Sequence, residues 1–117
     1  MSETQYTPHY SVDGTSNVNG LLFPHQLQAI RMIQPRDMEK VFGPGIEIDL
    51  PSKGYTDPEW YWQGSNGCVW GIGWRWGAPR LRGRGAKQKN QSGPFWVHPR
   101  EEDAADFVNF LVRELSV

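Results

Sequence analysis

The sequence predicts an α+β domain. Its core is an antiparallel sheet of three to five strands around a central aromatic hairpin, with two N-terminal helices and a C-terminal helix packed on one face. Three observations carry this expectation. Two aromatic runs, EWYWQG and CVWGIGWRW, flank an Asn66-Gly67 pair. Apolar residues recur at helical spacing near both ends of the chain. Between them GIEIDL alternates apolar and acidic positions, as a strand with one wet face does.

Taken in order, residues 1–19 are polar and aperiodic, and a flexible tail is expected ahead of a single domain over 20–117. Pro24 suits a first helical position, with Leu27, Ile30 and Ile33 following on one face. A second short helix, RDMEKVF, is expected to turn Met38, Val41 and Phe42 inward and to stop at Gly43-Pro44. In the hairpin, Asn-Gly favours a two-residue turn, which would set Trp62 opposite Gly71 and Trp60 opposite Gly73. A three-residue turn with Gly67 in a bulge would instead pair Trp62 with Trp70. Residues 77–93 show no period, although PRLR could form strand, and PFWVHP reads as a last edge strand. The closing helix carries Glu101, Glu102 and Asp103 in its first turn, and Ala104, Phe107, Val108, Leu111 and Leu115 as its apolar stripe.

The net charge of −1 conceals a separation. Residues 60–100 hold seven Lys or Arg and no acid, while residues 1–59 hold eight acids against four bases and residues 101–117 five against one. Within 68–96 lie four of the six tryptophans together with Arg75, Arg80, Arg82, Arg84, Lys87 and Lys89. Arg80, Arg82 and Arg84 alternate with Leu81 and Gly83, so an extended chain would project three guanidinium groups together. Such groups fork onto phosphate or carboxylate, and indoles stack on bases.

The expected function is therefore a non-enzymatic binding module for an anionic partner, either nucleic acid or a phosphate-bearing ligand. Its expected contacts are Arg75, Trp76, Arg80, Arg82, Arg84, Lys87 and Lys89. Trp76 is the indole best placed to be exposed, then Trp60 or Trp62, with three or four of the six expected in the core. Against this stands a solvated basic loop neutralised by the chain's own acidic helices. A third reading is a protein inhibitor or adaptor docking an acidic patch on a larger protein, since Trp and Arg dominate binding hot spots. The succession of KVFGPG, an aromatic hairpin and a WVHP-led helix resembles small proteins of phages and mobile elements, which implies an interaction protein.

No cofactor, metal site or catalytic residue is expected. His9, His25, His98 and Cys68 show no ligand spacing. Cys68 with His98, and Asp57 with Glu59, are the only catalytic candidates, and each is more simply structural. One cysteine permits no internal disulfide, and the N-terminal segment lacks a secretion pattern, so a cytoplasmic setting is expected. No apolar run reaches the ~20 residues of a membrane span.

Overall fold

The computed structural model describes residues 6–8, 15–50, 55–64, 67–75, 77–86 and 97–115, and among them nine strands and α-helices follow one another, with a single 3-10 turn at Asn19–Leu21. They are β1 (Tyr6–Pro8), β2 (Ser16–Asn17), α1 (Pro24–Arg31), α2 (Pro35–Phe42), β3 (Ile46–Leu50), β4 (Tyr55–Gly64), β5 (Val69–Arg75), β6 (Ala78–Arg84) and α3 (Glu101–Leu115). All pairings are antiparallel, in the order β1-β4-β5-β6-β2, with β3 on the first half of β4. This is the α+β arrangement expected, with helices on one side of the sheet. Among the described residues no helix is long and apolar enough to cross a membrane.

All three helices start by one device. The backbone N–H just before the helix donates to a side chain three residues on: Phe23 to Gln26 at 2.7 Å, Gln34 to Asp37 at 3.0 Å, and Arg100 to Asp103 at 3.3 Å. Pro24 and Pro35 occupy first helical positions, where a missing N–H costs nothing. Gly43, at φ 84°, ends α2. Ile30, Ile33 and Met38 are buried as expected, whereas Val41 is 45 % exposed.

The hairpin takes the three-residue turn, not the two-residue one. Gly64 N–H donates to Cys68 C=O at 2.7 Å, and Gly67 adopts φ 88°. Asn66 itself lies outside the described residues. Glycine at the left-handed position of a bulged turn outweighs the Asn-Gly preference for a tighter one. Trp62 therefore pairs with Trp70, Trp60 with Ile72 and Tyr61 with Gly71. The one-residue shift gathers Trp60, Trp62, Trp70, Ile72 and Trp74 on one face and sends Tyr61 to the other.

The helices cover the tryptophan face. Trp70 stacks on Phe107 at 5.3 Å and 15°, and Phe42 meets Trp62 edge-on at 5.0 Å. Trp60 donates from Nε1 to Gly43 C=O at 2.8 Å, so its one polar atom is satisfied. Ala104, Phe107, Val108 and Leu111 of the α3 stripe are all buried.

Three segments depart from expectation. Residues 78–84, expected within an aperiodic stretch, form β6, which pairs with β5 along its whole length. Its inward positions are Pro79, Leu81 and Gly83, of which only Leu81 is aliphatic, so the alternation is faint in the sequence. Part of the expected tail joins the sheet: β1 pairs with β4, β2 with β6, and Val18 is buried in the core. The expected last strand falls partly outside the described residues, and 97–100 are irregular coil.

Beyond β2, the outer edge of β6 is held by a side chain. Leu81 N–H donates to Asn19 Oδ1 at 2.8 Å, and Asn19 Nδ2 donates to Pro79 C=O at 3.3 Å. Asn19 thus mimics a strand where β2 has ended.

Candidate functional site

The sheet face turned away from the helices holds the charged side chains. Cross-strand partners share a face, so the pairings Gly73–Arg80, Gly71–Arg82 and Val69–Arg84 put the three β6 arginines on one side of the sheet. Successive guanidiniums along β6 start ~6.8 Å apart, two strand rises. All three arginines are half-buried, while Arg75, on the same face of β5, is exposed. The alternation expected of Arg80, Arg82 and Arg84 is present.

On β4 the same face carries Glu59, Tyr61 and Gln63. Between β4 and β6 the middle strand contributes Gly73 and Gly71, so the centre has no side chains of its own. The β4 side chains lean into that space. A Cβ on Gly71 would sit 2.5 Å from Tyr61 Cε1, and one on Gly73 would sit 2.7 Å from Glu59 Cγ. Only glycine admits these contacts. The face is thus polarised: Glu59 and Tyr61 on β4, guanidinium donors on β6, and between them two glycines covered by the Glu59 and Tyr61 side chains.

Tyr61 joins the two sides. Its hydroxyl donates to Glu59 Oε2, and the Arg82 charge on the same face acts on the phenol from the other side. Burial, then the Glu59 hydrogen bond and charge, push the Tyr61 phenol well above its ordinary ionisation range, against a smaller downward pull from Arg82. The phenol therefore stays protonated and acts as a donor. Among the described residues neither Arg75, Arg80 nor Arg82 forms an ion pair with a carboxylate.

The acidic start of α3 is engaged elsewhere. Arg100 reaches Asp103 at 3.4 Å and Glu102 at 3.7 Å, and these carboxylates, Asp103 first, raise its pKa. Neutralisation of Arg80 or Arg82 by this helix is not seen among the described residues.

The tryptophans require a correction. Trp60 and Trp62, expected next after Trp76 to be open to a ligand, are buried on the helix side, as is Trp70. The described indoles and the arginines occupy opposite faces of the sheet, because the three-residue turn gives all four tryptophans one parity. Trp76, Lys87 and Lys89 lie outside the described residues. Of the catalytic candidates, Cys68 is buried within the core cluster and His98 is exposed. Glu59 hydrogen-bonds to Tyr61, and the Asp57 side chain is outside the described set.

Sequence reasoning missed Tyr61, Gly71 and Gly73 as parts of this face. The available signal was the alternation of glycine with apolar residues in VWGIGW, which marks one side of β5 as bare. No protein-family model, curated protein or solved structure matches this chain.

Proposed function

We propose that the protein is a non-enzymatic binding module that holds the sugar–phosphate backbone of a single-stranded nucleic acid along β6. The observation that carries the proposal is the row of Arg80, Arg82 and Arg84 at alternate positions of one strand, on the sheet face turned away from the helices. Their spacing suits successive phosphates of an extended single strand, and guanidinium forks bind phosphate oxygens in pairs. Exposed Arg75 extends the row, and Trp76, Lys87 and Lys89 adjoin it in sequence. A small phosphorylated ligand shares the same chemistry. A cytoplasmic setting belongs to the proposal, in keeping with a single cysteine.

The test is a fluorescence-anisotropy titration of a labelled thymine oligonucleotide at increasing salt. Three or four phosphate contacts give a log–log slope of roughly −2 to −3, from about −0.7 per phosphate released. Arg80→Ala makes the slope shallower by about one contact. Binding indifferent to salt, or absent, overturns the proposal.

One observation favours a protein partner instead. Phe23 and Met32 are 51 % and 62 % exposed at the two ends of α1, on the side of the molecule away from the arginines. If a protein is the partner, nuclease treatment leaves the captured complex intact, and Met32→Asp removes it.

A further inference from the structure

We infer that Glu59 reads base edges, giving the bound strand a preference for guanine at the position that lies across Gly73. This rests on the proposal of single-strand binding and adds its specificity.

The Glu59 backbone lies two strand spacings, ~10 Å, from that of Arg80, and its side chain reaches back toward Arg80 over Gly73, with Cδ 3.0 Å from the place a Cβ would take. A nucleotide whose phosphate is held by Arg80 and Arg75 turns its base edge onto the Glu59 carboxylate, which itself covers Gly73. No side chain of β5 obstructs it there. The edge that meets Glu59 must supply donors, since an ionised carboxylate only accepts.

Bases differ on this point. Guanine presents N1–H and the N2 amino group side by side, two parallel donors that match the two oxygens of a carboxylate. Adenine and cytosine each set one amino donor beside a ring acceptor, and thymine flanks its single N–H with two carbonyls. Those three bases offer the carboxylate at most one donor, beside an acceptor, so the paired contact is lost.

Tyr61 serves as the positioning residue. Its hydroxyl occupies one lone pair of Glu59 Oε2 and fixes the carboxylate over Gly73, where Oε1 sits 3.1 Å from the position a Cβ would take. The half-buried setting of Glu59 strengthens a charge-assisted hydrogen bond relative to one in open water. Glu59 also excludes phosphate from its own side of the floor, so a strand can lie in one orientation across the sheet.

The experiment uses the full chain and three labelled single strands: thymine only, thymine with guanine at alternate positions, and the same strand with inosine in place of guanine. Inosine lacks the N2 amino group. The native protein binds the guanine strand about tenfold more tightly than the thymine strand, with inosine between them. In Glu59→Gln, which keeps the side-chain length and an acceptor for Tyr61, the guanine advantage shrinks to about twofold or less. Its affinity for thymine strands stays the same or rises. Equal native affinity for all three strands overturns this inference and leaves single-strand binding standing, whereas absence of salt-dependent binding to any strand overturns both. The guanine–inosine comparison is made on the native protein, so it decides the matter even if the variant fails to fold.

Discussion

Tyr61 is the residue at which the two faces of the sheet are told apart. Trp60, Trp62, Trp70 and Trp74 face the helices, whereas Tyr61 lies on the other face, is only 4 % exposed and donates its hydroxyl to Glu59. Its raised ionisation has a defined consequence for stability. Below pH ~10, where an ordinary phenol ionises, folded and unfolded chains both hold the proton and the contribution is complete. Above that pH the unfolded chain releases the proton while the folded one keeps it, so stability falls as pH rises toward the folded value. Urea titrations across this alkaline range are expected to show a steeper loss in the native protein than in Tyr61→Phe. Equal losses would mean that the phenol is not protected. Little of this was legible beforehand, because the parity of Tyr61 depends on a turn one residue longer than Asn-Gly suggests.

At the scale of elements, the helices were the most legible part of the chain. Their signals are local: a proline at the first position, an acceptor three residues in, a glycine at the end of α2. β6 was less legible because its inward positions, Pro79, Leu81 and Gly83, lack an aliphatic rhythm, and its burial comes from partners distant in sequence. Trp70 is one such partner: a Cβ on Gly83 would lie 2.6 Å from its Cζ3. α3 matters most to the core, since Phe107 is fully buried and touches Trp62, Trp70 and Phe110. Phe107→Ala is expected to cost about 3–5 kcal/mol, enough to unfold a large fraction of a small domain. Denaturant unfolding measures this directly, and a loss below about 1 kcal/mol would show that α3 is only loosely docked.

For the whole molecule, charge is sorted by face and not merely by sequence. Three half-buried arginines stand in a row on β6, while acidic residues begin α3 beside Arg100. Like charges ~7 Å apart repel one another, so salt should act on this protein in two opposite ways. Added salt screens the row and raises the melting temperature modestly, while the affinity for a polyanion falls. Thermal unfolding followed over the same salt series as the binding titration tests the pair. A melting temperature that drops with salt would point to arginines held by attractive contacts. The candidate site was legible as a set of basic residues and illegible as a surface. Sequence showed the alternation of Arg80, Arg82 and Arg84, but whether indoles or glycines would lie beside them turned on sheet register.

The asparagine clamp on β6 bears on how this molecule can meet others. With Asn19 occupying the backbone groups of Pro79 and Leu81, and β2 those beyond, that flank has no room for a visiting strand. On the far side the sheet ends in β1 and β3, and along β3 acidic Glu47 and Asp49 alternate with Ile46, Ile48 and Leu50. Growth of the sheet into a stack of identical copies is thereby refused on one side by an amide and discouraged on the other by like charge.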